Sequence, residues 1–143
     1  MRSLLDVNVL IALLDRDHTL HGEAMKWFAA NARHGWASCP ITQNGCIRIM
    51  SHPSYPNAPS LPDVVQRLAA ATATELHEFW PDDVSLLDSR AVDASRVLGP
   101  RQVTDVSLLA LAVRRGGRFV SFDASIGRDA VRGAARHNLL QLR

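Results

Sequence analysis

Three aspartates stand where a carboxylate can do more than solvate a surface. Asp6 closes the apolar run Ser3-Leu4-Leu5 and is followed at once by Val7-Asn8-Val9-Leu10-Ile11-Ala12-Leu13-Leu14, the pattern of a buried strand turning directly into a helix. Asp123 closes a second such run, Arg118 to Phe122, and Asp105 opens the most apolar helical stretch of the chain. Strand carboxyl ends and helix starts share one crevice in an open parallel sheet, so the three acids would converge there. Each alone reads equally as a helix cap worth about 0.3–1 kcal/mol. Together they would repel one another and raise their own pKa values unless a cation offsets the charge. Oxygen ligands at this density suit Mg2+, with Mn2+ as a substitute. Such an ion activates a water and neutralises charge on a phosphodiester. Neither a P-loop nor a Ser-His-Asp set offers a competing chemistry.

The elements that must position these acids can be read in order. After the first helix, Asp15-Arg16-Asp17-His18 makes a polar break, and Thr19 is expected to cap a second helix carrying Ala24, Trp27 and Phe28. His18 and His21 could present two imidazoles to a metal, but lacking a carboxylate partner they read as surface or capping residues. Trp36 to Cys39 reads as a second strand. Pro40 then breaks the chain and Thr42 is expected to cap a helix from Gln43 to Ser51. Pro53, Pro56, Pro59 and Pro62 mark a loop suited to partner contact, followed by a helix to Ala71 with Val64, Val65 and Leu68 as its buried stripe. Glu75 to Trp80 reads as an edge-like alternating strand. Leu86 to Asp88 leads into an expected short helix ending before Gly99-Pro100. The Asp105 helix, a strand from Arg118, a short helix after Asp123 and a last edge strand Leu139 to Leu142 complete the chain. Strands alternating with helices imply a parallel sheet covered on both faces.

Composition narrows the function classes. With 143 residues, 47% of them hydrophobic and 21% charged, the chain has the size and make-up of one globular domain over residues 1–143 and of neither a disordered nor a disulfide-framed protein. The longest apolar run is far too short to span a bilayer and no basic, then apolar leader opens the sequence. A cytoplasmic protein with no membrane partner is the expectation. Cys39 and Cys46 read as small buried residues, with a bridge between them left open. The net charge of +2 conceals an asymmetry: residues 1–89 carry six Lys and Arg against ten Asp and Glu, residues 90–143 ten against four. All but Lys26 of these cations are arginine, which suits bidentate phosphate contact. A biased genome composition would produce the same usage.

Four stretches carry a family resemblance: Leu5-Asp6-Val7-Asn8-Val9-Leu10, Ile41-Thr42-Gln43-Asn44-Gly45, Thr104-Asp105-Val106-Ser107-Leu108-Leu109 and Ser121-Phe122-Asp123. In this order and at this length the chain resembles PIN-domain ribonucleases, and among them the VapC-type toxins of bacterial toxin–antitoxin pairs. The resemblance implies a three-layer α/β/α sandwich around a mainly parallel sheet, Mg2+-dependent hydrolysis of RNA, a cognate antitoxin as partner and a homodimer. It also implies that Asp6, Asp105 and Asp123 are the metal-binding catalytic acids, with Asn8, Thr104 and Ser121 as supporting polar positions. At Gln43 the family usually has a glutamate. An amide can orient a water but adds no charge, so one weakly held Mg2+ is expected.

Two further readings remain at the level of sequence. Gln43 could mark a domain that has lost catalysis and works as an RNA-binding or partner-binding module. A phosphatase of the haloacid dehalogenase type also uses an aspartate after its first strand, but its second acid is Asn8 here and its usual lysine is missing.

Overall fold

The computed structural model describes residues 1–143 and places five short parallel strands at the centre of the molecule. They are β1 (Ser3–Leu5), β2 (Trp36–Ser38), β3 (His77–Phe79), β4 (Arg118–Ser121) and β5 (Leu139–Gln141), in the spatial order β3-β2-β1-β4-β5. The helices are α1 (Val7–Leu14), α2 (His21–Asn31), α3 (Pro40–Met50), α4 (Leu61–Thr72) and α5 (Val103–Arg114). The chain runs outward from β1 through β2 to β3, then returns to the other side of β1 for β4 and β5. The sheet therefore switches direction between β1 and β4, and a crevice opens at their carboxyl ends.

Why β1 is an unbroken apolar run follows from its position at the middle of that sheet. Leu4, with Ala37 and Phe119, faces a core built on α5, whereas Leu5, with Trp36 and Val120, faces a core built on α1, α3 and α4. Both leucines are fully buried, contributing about 1.5–3 kcal/mol each. The edge strand β3 is correspondingly more open, with Glu78 and Phe79 exposed. Helix α3 approaches α1 closely at Gly45, where a Cβ would stand 2.7 Å from Val7 Cγ2. A larger residue there would have to push the Val7 side chain aside.

Several local expectations are corrected. Helix α3 starts three residues earlier than Thr42 suggested, because Pro40 fits the first helical position and Cys39 occupies the cap. Thr42 instead closes a capping box, its Oγ1 accepting the Cys39 amide at 3.0 Å. Thr19 caps nothing: Leu20 precedes α2, and its amide donates to His18 Nδ1 at 3.0 Å. Val65 on α4 is 42% exposed and lies outside the buried stripe of Val64 and Leu68. The helix expected after Leu86 to Asp88 and through Val97 is replaced by turns and one 3-10 turn, Ala94–Arg96, and the short helix expected after Asp123 gives way to turns and one 3-10 turn, Arg136–Asn138. In both stretches Asp side chains capture nearby amides: Asp88 takes Arg90, Asp93 takes Ser95 and Asp123 takes Ser125. Such short loops compete with helical pairing. Cys39 and Cys46 are buried free thiols. No helix is long and apolar enough to cross a membrane.

Candidate functional site

Asp6 sits at the turn from β1 into α1, and two requirements fix it there. As the N-cap of α1 it accepts the Val7 amide on Oδ1 at 2.8 Å, which answers one of the helix's orphan donors. Its Oδ2 accepts the Ser121 hydroxyl at 2.6 Å. Burial pushes its carboxyl above the usual range, the negative charge of Asp123 adds to this, and the two hydrogen bonds hold it back. With 8% of its surface exposed, Asp6 is the floor of the crevice.

Asn8 and Ser121 lace β4 to α1 across the switch point. Asn8 Oδ1 accepts the Phe122 amide at 3.1 Å and its Nδ2 donates to Ser121 Oγ at 3.1 Å. Ser121 Oγ also accepts the Asp123 amide at 3.0 Å. One hydroxyl thus orients two of the three acids, a bond to the side chain of Asp6 and a bond to the backbone of Asp123. Asp123 is more open. Its Oδ1 accepts the amide and hydroxyl of Ser125 at 2.8 and 2.6 Å, which hold its carboxyl below the ordinary value.

Asp105 stands apart chemically. It lies in the first turn of α5, half-buried, and its carboxylate hydrogen-bonds to no protein group. Burial first, then the charges of Asp6 and Asp123, push its carboxyl up to about 6. The three acids thus reach the same sheet edge and feel one another. No three His, Cys, Asp or Glu side chains are drawn tightly enough together to grip an ion as they stand. The donor set nonetheless fits a hard cation, being all carboxylate, mutually repelling and, at Asp105, without a protein partner.

Two expected site residues have other engagements. Thr104 is exposed and its hydroxyl meets no protein group. Gln43 donates its amide to Ser38 Oγ at 2.9 Å, and that hydroxyl lies 2.7 Å from His77 Nε2. Gln43 is thereby tied through β2 to the edge strand β3. Sequence could not have shown this chain, because its members are brought together only by strand pairing. Ser125 went unread, although the Asp-x-Ser spacing of a local turn was the signal available for it.

The basic back third resolves into paired and free arginines. Arg90, Arg96, Arg114, Arg115 and Arg132 lie against Asp88, Asp93 or Asp83, and Arg118 is bound to Ser3 and Asn31. Those six are engaged in the fold, which narrows the expected phosphate-binding rim to Arg101, Arg128, Arg136 and Arg143.

Comparison with known proteins agrees with this arrangement. The PIN domain family model matches residues 3–130. The chain is 54% identical over 142 residues to "Ribonuclease VapC44" of Mycobacterium tuberculosis, covering 99% of this chain and all of that protein. It is 46% identical over 134 residues to "Ribonuclease VapC39" of the same organism, covering 93% and 96%. Among solved structures, VapBC2 from Rickettsia felis bound to a promoter DNA fragment superposes over the full length of both chains with a TM-score of 0.64 at 10% identity. Mycobacterium tuberculosis VapC20, a sarcin-ricin loop cleaving toxin, covers 86% of this chain and 91% of its own with a TM-score of 0.57 at 13% identity.

Proposed function

Because the chain belongs to the PIN-domain family, and Asp6, Asp105 and Asp123 converge at the sheet's switch point, we propose that it is a metal-dependent endoribonuclease. It acts as the toxin of a type II toxin–antitoxin pair, with a cognate antitoxin as its partner and RNA as its substrate. The observation that carries the chemistry is Asp105, a half-buried carboxylate with no protein partner that faces two further acids. The relatives named as ribonucleases, nearly as long as this chain, supply the substrate class.

In this reading a divalent ion, Mg2+ with Mn2+ as substitute, is held by Asp6, Asp105 and Asp123, and when bound it supplies water activation and offsets charge developing on the phosphodiester. The rest of the work belongs to the chain. Ser121 holds the Asp6 carboxylate and the Asp123 amide, and Asn8 holds the Phe122 amide, which limits the reorganisation these groups need. Asp105, ionised above about pH 6, completes the negative face. Gln43 adds no charge to that face and is held by Ser38. The protein works as a homodimer in the cytoplasm.

Incubating the purified protein with total RNA in Mg2+, in Mn2+ and in EDTA, and mapping the cut ends, tests this directly. Cleavage present with metal, absent with EDTA and lost in Asp6→Asn is expected. Wild-type cleavage by Asp6→Asn would overturn the assignment. Gln43 favours one competing reading, a module that binds RNA without turnover, and RNA binding with no cut ends under any metal would establish it instead.

A further inference from the structure

Asp105 forms part of the wall of a cavity of about 390 Å3, far more space than an ion needs. It falls toward the small end of the roughly 300–1,000 Å3 spanned by ligand cavities. Its floor is apolar and buried, formed by Val106, Ile126 and Ala130, and Leu98 stands at its rim 85% exposed. Besides Asp105, two polar side chains on its wall are left without protein partners for their key atoms. Gln102 spends its Oε1 on the Leu98 amide at 3.0 Å, so its orientation is set and its amide nitrogen is free to donate. Asp129, exposed, neither hydrogen-bonds through its carboxylate nor pairs with a cation. In the sequence, Arg101 immediately precedes Gln102 and Arg128 immediately precedes Asp129, two of the arginines left free by the ion pairs of the back third.

Building on the nuclease reading, we propose that this cavity is a nucleobase subsite, which seats one unpaired guanine of the RNA strand beside the scissile phosphate. The apolar floor suits the flat face of a base. Among the four bases, guanine alone puts two adjacent donors, N1–H and the exocyclic amine, next to an acceptor, O6. Those groups match a carboxylate at Asp129 and an amide donor at Gln102. Adenine and uracil would each turn an acceptor toward the carboxylate, and cytosine offers a single donor beside an acceptor. A paired guanine has these edge atoms occupied, so the strand must be single-stranded or looped at this point. Arg101 and Arg128 then hold the phosphates on the two sides of the seated nucleotide.

The test uses single-stranded RNA 12-mers, identical but for a central G, A, C or U, with cleavage rates in Mg2+ and binding followed by fluorescence anisotropy. Wild-type protein should favour the guanine strand by about tenfold or more, the discrimination expected of one bidentate contact. Asp129→Asn should erase that preference, and Gln102→Ala should weaken it. Gly127→Leu provides a steric block that spares the fold, because Gly127 lines the cavity and nothing lies within 4 Å of where its Cβ would be. It should lower binding of the guanine strand by about tenfold or more. Equal treatment of all four strands, or a guanine preference unmoved by Asp129→Asn and Gly127→Leu, overturns the subsite. If no strand is cut, the nuclease reading has failed, and binding alone decides the subsite. A guanine preference lost in Asp129→Asn upholds it, and equal binding of the four strands overturns it.

Discussion

The two ends of the parallel sheet hold opposite kinds of charged group in opposite states of satisfaction. At the amino end, Arg2 donates to the carbonyls of Trp36 and Leu76 at 3.1 and 2.8 Å. Arg118 donates to Ser3 Oγ and Asn31 Oδ1 at 3.0 and 3.1 Å and lies 5.8 Å from the centroid of the Trp27 ring. Those cations meet chiefly neutral oxygens and an aromatic face, with the Glu78 carboxylate 3.8 Å from Arg2 Nε, and they rivet strands and helices together. At the carboxyl end acids face acids, and the most strongly perturbed of them has no partner. Strands of three or four residues separate the two ends by only about 10 Å. Over that distance the sheet passes from polar groups that complete the fold to polar groups that await a ligand.

Neutralising one acid without changing its size breaks the carboxyl end alone. Asp105→Asn should lower RNA cleavage by about a thousandfold, roughly 4 kcal/mol of transition-state stabilisation, while circular dichroism stays unchanged. The mirror experiment is Arg118→Met. Leaving Ser3 and Asn31 unanswered should cost about 2 kcal/mol and lower Tm by roughly 5–10 °C, with cleavage at 25 °C retained. Were Arg118→Met to abolish cleavage at unchanged Tm, or Asp105→Asn to unfold the chain, the division between the two ends would fail.

Ser121 is where a smaller effect should touch both function and fold. Its hydroxyl is one of the bonds that restrain Asp6 from rising further, and it also accepts the Asp123 amide. Ser121→Ala should reduce cleavage by about 10–100-fold, as for other residues that orient ligating groups. The acid limb of the pH–rate profile should move to higher pH, because Asp6 loses a bond that favours its ionised form. A rate loss with an unmoved acid limb would assign Ser121 to packing alone.

How much of this was legible beforehand depended on the range of the interactions. Asp6 and Asp123 could be read because a central parallel strand must be apolar on both faces, and an acid interrupting Leu4-Leu5 or Val120-Ser121-Phe122 therefore marks a strand end. Asp105 was legible for the same reason, at the start of a helix buried along most of its length. The stretches after Asp83 and Asp123 misled, because apolar spacing there suggested helices while Asp88, Asp93 and Asp123 captured neighbouring amides instead. The link from Gln43 through Ser38 to His77, and the sorting of arginines into paired and free, depend on contacts between residues up to about a hundred positions apart. No local pattern encodes them.

The smallest effect is also the most direct measure of what the carboxyl end lacks. The Asp105 carboxyl is raised from 3.8 to about 6 in the folded protein, so the folded state holds its proton more tightly than the unfolded chain does. Stability contributed by this group is therefore full below about pH 4 and is lost as pH rises through 6. A two-unit shift corresponds to about 3 kcal/mol, but solvent reaches part of this side chain, and about 1 kcal/mol is the reasonable expectation after screening. Asp105→Asn should accordingly be more stable than wild type in EDTA at pH 7.5 and indistinguishable from it at pH 3.5, in urea unfolding. Taking the difference between the two proteins cancels Asp15, Asp88 and Asp93, whose carboxyls are lowered and act in the opposite sense. Saturating Mg2+ at pH 7.5 should then stabilise wild type and leave the variant nearly unmoved, because the ion offsets a repulsion that the variant no longer has. If the variant gained nothing in EDTA, or if Mg2+ stabilised both proteins equally, the repulsion at the carboxyl end would not be what a cation relieves.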